Sequence, residues 1–153
     1  MNKKILAFFQ VLAVTTALLW TPVLSAKTGI GVMGGDPNGI TLKFNNFPVI
    51  ELGYDLGWGG GSSGSFDLNV DYWIINKPLG GKNFFWFLGI GASVQYGAGS
   101  NSWFGVGARV PIGLQWFPVP KVEIFAEVAP GLAILPGLGL DVDFGVGVRF
   151  YIF

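Results

Sequence analysis

The chain has 153 residues, 51% of them apolar and 12% charged, with 25 glycines and a formal net charge of zero. That length holds one domain, and the composition is too apolar for disorder and lacks the repeating triplet of collagen. Cysteine and histidine are both absent, which removes disulfides, thiolate nucleophiles, imidazole bases and the commonest zinc ligands, and with them most routes to catalysis.

Residues 1–26 carry the three parts of a secretory signal: Lys3 and Lys4 at the start, an apolar stretch from Ile5 to Leu19, and Ser25-Ala26 as a small-residue exit before Lys27. The apolar run falls short of the roughly 20 residues a spanning helix needs, so export followed by cleavage is expected. The lack of cysteine excludes a lipoprotein anchor. Without Lys3 and Lys4, seven basic residues face nine acidic ones, and no basic surface suited to nucleic acid is left.

The remainder, 27–153, alternates apolar with small or polar residues, which is the period of strands with two unlike faces. Eight such segments follow one another: Thr28 to Gly34, Ile40 to Asn46, Val49 to Trp58, Ser65 to Ile75, Phe84 to Tyr96, Trp103 to Phe117, Lys121 to Ile134 and Asp141 to Phe153. Short turns rich in Gly, Pro, Asn and Asp separate them, such as Asp36-Pro37-Asn38-Gly39 and Pro118-Val119-Pro120. The glycine runs Gly29 to Gly35 and Gly59 to Gly64 do not match a phosphate-binding loop ahead of a helix. They read as narrow-lumen and loop glycine.

Sorting the faces orients the fold. Ile50, Leu52, Tyr54 and Leu56 oppose Glu51, Gly53 and Asp55, while Phe104, Val106, Ala108 and Val110 oppose Gly105, Gly107 and Arg109. A soluble barrel would crowd the bulky face into its interior, whereas a membrane barrel turns it to lipid and keeps small and polar residues in a tight lumen. Aromatics near strand ends, including Tyr54, Trp58, Phe84, Trp86, Tyr96, Phe104 and Trp116, suit interfacial girdles. The expectation is an all-β, eight-stranded antiparallel up-and-down transmembrane barrel in the bacterial outer membrane, with both termini in the periplasm. Eight of the nine acidic residues, all but Asp36, then face inward with Lys43, Arg109 and Arg149.

Within that lumen Asp55, Asp71, Arg109, Glu127 and Arg149 are expected near mid-height, with Glu127 in salt-bridge reach of Arg149 across the last hairpin. A packed ionic plug is the ordinary outcome, because eight-stranded interiors are just wide enough for side chains to fill. Carboxylate pairs such as Asp67 with Asp71, Glu123 with Glu127, or Asp141 with Asp143 could serve acid–base catalysis or calcium only at a cleft with a substrate or an oxygen cage; the minor alternative is a weak cation site at Asp141 and Asp143 near the outer rim. No catalytic residue, cofactor or metal is therefore assigned. At the C-terminus, Tyr151 and Phe153 have the aromatic spacing of an outer-membrane assembly signal, although strict alternation turns both inward unless a bulge intervenes.

The stretches Gly29 to Lys43, Leu68 to Trp73 with Asp71-Tyr72-Trp73, Gly105 to Leu114, Val122 to Pro130 and the Gly-Val-Gly-Val-Arg-Phe-Tyr run ending at Tyr151 resemble the small OmpA-like outer-membrane barrel family of uncharacterised function, best known from spirochaetes. The resemblance spans the chain from Lys27 onward. It implies a membrane barrel with a structural or surface role and no assigned enzymatic activity, with the extra Phe153 beyond the usual register as a departure. Expected partners are outer-membrane lipid, the barrel-assembly machinery, and a host or envelope protein at the outer loops. The competing role is a narrow passive channel for ions or solutes.

Overall fold

The structure, a computed structural model, describes residues 27–55, 64–97 and 102–152. The expected signal segment 1–26, Trp58, loop residues 59–63 and 98–101, and Phe153 lie outside them. Nine strand segments follow in order: β1 (Thr28–Asp36), β2 (Gly39–Phe44), β3 (Val49–Asp55), β4 (Ser65–Pro78), β5 (Phe84–Gly97), β6 (Trp103–Arg109), β7 (Ile112–Val119), β8 (Val122–Leu135) and β9 (Gly139–Tyr151). Each pairs antiparallel with its neighbours, and β9 returns to β1 with Tyr151 opposite Gly29 and Phe144 opposite Asp36. The sheet is thus a closed eight-stranded antiparallel barrel. Each described strand has a neighbour on both sides, so none is an edge strand.

The ninth segment comes from one expected strand broken in two. β5 pairs with β6 along Gly91 to Gly97 and with β7 along Phe84 to Leu88, while β8 meets β7 and then β6 in the same way. β6 and β7 therefore share one position in the barrel, divided at Val110-Pro111. Pro111 has no N–H to give the ladder. Its carbonyl accepts from the Gly89 amide at 2.8 Å, and the Val110 amide reaches the Pro130 carbonyl at 2.9 Å.

A second departure lies in β4, where the register with β5 slips between Trp73 and Ile75. The slip is a bulge at Ile74, and the strand continues to Pro78 instead of ending near Ile75. The third segment is a strand to Asp55, the last β3 residue paired with β4, opposite Ser65.

The expected facing holds around the wall. Val32, Phe66, Val142 and Phe144 are 57–64% exposed, while Glu51, Asp71, Glu123 and Arg149 are fully buried. The large apolar side chains point away from the barrel and the ionisable ones into it. A soluble core has the reverse arrangement.

The lumen also holds large side chains: Tyr151, which strict alternation turns inward, and Trp73, Phe87 and Phe125, which the sequence reading did not place there, all of them buried. Register explains how they fit. Each sits directly opposite a glycine on the next strand, Trp73 with Gly89, Phe87 with Gly113, Phe125 with Gly147 and Tyr151 with Gly29. A methyl group built on Gly113 runs into the Phe87 ring, and one on Gly29 lies 3.1 Å from the Tyr151 ring. Glycine on one strand thus makes room for an aromatic ring on its neighbour. Trp73 and Phe87 stack at 3.8 Å between centroids, 10° from parallel, and form a small apolar cluster with Val49.

Aromatic residues also line up on the outside. Tyr54, Phe66, Tyr96 and Phe104 are cross-strand partners in sequence around β3, β4, β5 and β6. They make a continuous row at the end of the barrel away from the termini. At the terminus end, Phe84 pairs with Trp116, and Phe47 meets Tyr72 edge-on at 5.5 Å.

Candidate functional site

The chemistry-bearing side chains converge in the lumen because β-strand alternation sends every second residue of each strand to the same place. They form two linked clusters. Near the terminus end, Glu123 is held by Arg149 Nη1 at 3.1 Å and by Lys43 Nζ at 3.3 Å, and it accepts the hydroxyl of Tyr151. Arg149 Nε also donates to Thr41 at 2.9 Å. The guanidinium carbon of Arg149 lies 3.6 Å from the Phe125 ring centre, and Lys43 Nζ lies 4.1 Å from that of Trp73. Two cations thus share one carboxylate and rest on aromatic faces, where a desolvated cation gains a further attraction.

Towards the opposite end one cation serves four acids. Arg109 contacts Glu127 at 2.6 Å, Asp143 at 3.2 Å, Glu51 at 3.3 Å and Asp71 at 3.4 Å. Glu51 joins the clusters, since its second oxygen lies 3.7 Å from Arg149 Nη2. Asn69 Nδ2 adds a bond to Glu51 at 3.4 Å. Asp71 Oδ2 and Glu127 Oε2 are buried without a hydrogen bond. Among the described residues, six buried carboxylates, Glu51, Asp67, Asp71, Glu123, Glu127 and Asp143, face three buried cations, Lys43, Arg109 and Arg149.

Four of the five lumen charges expected from sequence, Asp71, Arg109, Glu127 and Arg149, are buried in this network. Their pairing differs from expectation. Glu127 binds Arg109, and Arg149 binds Glu123 and Glu51. The β8–β9 register puts Glu123 opposite Arg149 and Glu127 opposite Gly145, four residues along β8 from the pairing expected. Asp55 is not at mid-height: its backbone closes β3 at the loop end, its side chain lies outside the described residues, and Glu51 takes the central place. Tyr151 points inward and bonds to Glu123, so alternation runs through the C-terminal strand without a bulge at that residue. Asp141 is exposed, which corrects its expected inward placement.

Lys43, Glu51, Glu123 and Asp143 are essential parts of the network that the sequence reading left out of it. For Glu51, Glu123 and Asp143 parity was the available signal, since each lies an even number of residues from an expected member on its own strand, whereas Lys43 shares β2 with none and faces Gly29 and Val49. Glu51, Asp71 and Glu127 bring carboxylate oxygens within 4.8 Å of one another, the one carboxylate group among the described residues with spacing for a metal ion. The Arg109 guanidinium contacts all three, so a cation already occupies that charge environment. Comparison with family models, with curated proteins and with solved structures found no match.

Proposed function

We propose that this chain is an outer-membrane barrel protein with a structural or surface role, closed to solutes by its own side chains and without catalysis. The observation that carries this reading is the inversion of the wall: apolar residues such as Val32, Phe66 and Val142 stand more than half exposed while Arg149 and Glu51 are wholly buried. Exposed apolar surface around a whole barrel finds its natural solvent in lipid. The aromatic row from Tyr54 to Phe104 suits one membrane interface, and the Phe84–Trp116 and Phe47–Tyr72 pairs suit the other. The resemblance to small OmpA-like barrels agrees with this placement. In it, an N-terminal signal directs export, lipid covers the outer face, and the segment ending in Tyr151 and Phe153 engages the assembly machinery.

The closed lumen follows from packing. The stacked Trp73 and Phe87, the Arg149–Phe125 contact and the chain of ion pairs from Lys43 to Asp143 all lie in the lumen between the two ends and support this reading. Purified protein reconstituted into planar bilayers should give no stable single-channel steps. Reproducible steps whose size follows salt concentration would replace this reading with that of a narrow passive channel.

A further inference from the structure

The terminus end of the barrel opens into a basin of about 430 Å³, within the size range of small-molecule sites. Its lining has a one-sided chemistry. Lys27, Lys43 and Lys82 contribute to it, four asparagines surround them, and among the described residues no carboxylate side chain lines it. All five lysines among the described residues, these three with Lys77 and Lys121, lie at this end, whereas the exposed acids Asp36 and Asp141 lie at the other. The carboxylate beneath the floor, Glu123, is already held by two cations, Lys43 and Arg149, so the floor carries a local excess of positive charge.

Two further features point to a ligand with both an anionic group and a flat apolar face. Gln115, 1% exposed, spends its carbonyl on Lys43 Nζ at 3.3 Å, and its amide nitrogen is left without an acceptor on the basin wall. A buried donor with no acceptor favours a ligand that brings one. Phe85 and Phe117, edge to face at 5.7 Å, line the side with Tyr151. The wall is pinned by backbone bonds from Phe117 to Asn83 at 2.8 Å and from Tyr151 to Lys121 at 2.9 Å, so the site is formed in advance of binding.

We propose that this basin binds an anionic saccharide, a sugar bearing a phosphate or carboxylate. The acid is taken by Lys27, Lys82 and the Gln115 amide, and the ring lies against Phe85 and Phe117. The proposal concerns the folded barrel itself and stands apart from its placement in a membrane.

The test is titration of the folded protein in detergent micelles, followed by calorimetry and by the Gln115 side-chain amide signal in NMR. The probes are glucose 6-phosphate, glucuronate, glucose and inorganic phosphate. Glucose 6-phosphate or glucuronate should saturate and shift the Gln115 amide, with glucose and inorganic phosphate at least tenfold weaker. Lys82→Glu should weaken the anionic sugars at least tenfold, and Phe117→Ala should weaken glucose 6-phosphate several-fold while leaving phosphate unchanged. Absence of saturable binding by both anionic sugars, glucose binding as well as its phosphate, or phosphate binding as well as the sugar phosphate would each overturn the proposal. These wild-type comparisons decide it even where a variant fails to fold.

Discussion

The two halves of the lumen solve the same problem, filling a narrow polar interior, by opposite means. Near the termini, two cations share the single carboxylate Glu123 and lean on Trp73 and Phe125. Towards the other end, Arg109 alone holds four carboxylates between walls rich in glycine. One half is cation-rich and packed by aromatic rings; the other is acid-rich and held by one guanidinium. Which residue is indispensable should therefore differ between them, because removing one partner of a buried ion pair leaves the other uncompensated.

The largest effect is expected for Arg109→Met, which leaves four buried acids facing one another. It should cost about 5 kcal/mol, the upper end for a broken buried pair, in urea unfolding of the detergent-folded protein. In the other half the acid is the sensitive member. Glu123→Ala leaves Lys43, Arg149 and the Tyr151 hydroxyl without their shared partner and should cost about 3–5 kcal/mol in the same assay. If Glu123→Ala proves milder than Asp71→Asn, the contrast between the halves is wrong.

Packing gives the next effect. Gly147→Val would drive a side chain into the Phe125 ring, which lies 2.5 Å from a methyl group built at Gly147. Overpacking of this kind should cost about 1–3 kcal/mol, and the double variant with Phe125→Leu should recover part of the loss. The smallest effect is expected for Asp71→Asn. It removes one acid from a cluster with more acids than cations, so stability should stay within about 1 kcal/mol of the starting protein, since replacing a crowded buried charge is often neutral.

Much of this was legible in the sequence because strand alternation is a strict rule once a wall is closed. The inward position of Glu51, Asp71, Arg109, Glu127 and Arg149 follows from parity alone. Which of them pair does not, because pairing depends on register and on the distance along each strand. A shift of four residues keeps every side chain on its face yet exchanges Glu123 for Glu127 as the partner of Arg149. The inward aromatics escaped for a different reason. Trp73 and Phe87 look too bulky for a tight lumen until the glycines opposite them, Gly89 and Gly113, are seen to lie on neighbouring strands. The break at Pro111 was signalled by proline itself, but the run of alternating residues on either side of it masked the interruption.

The central claim is that a wall with apolar residues outside and ion pairs inside is a membrane barrel. It is tested most directly by fractionating cells that express the full chain and comparing unheated with boiled samples on denaturing gels. The account predicts recovery in the outer-membrane fraction and a band that migrates differently before and after boiling. Recovery of folded protein in the soluble periplasmic fraction, with no heat-dependent shift, would contradict it.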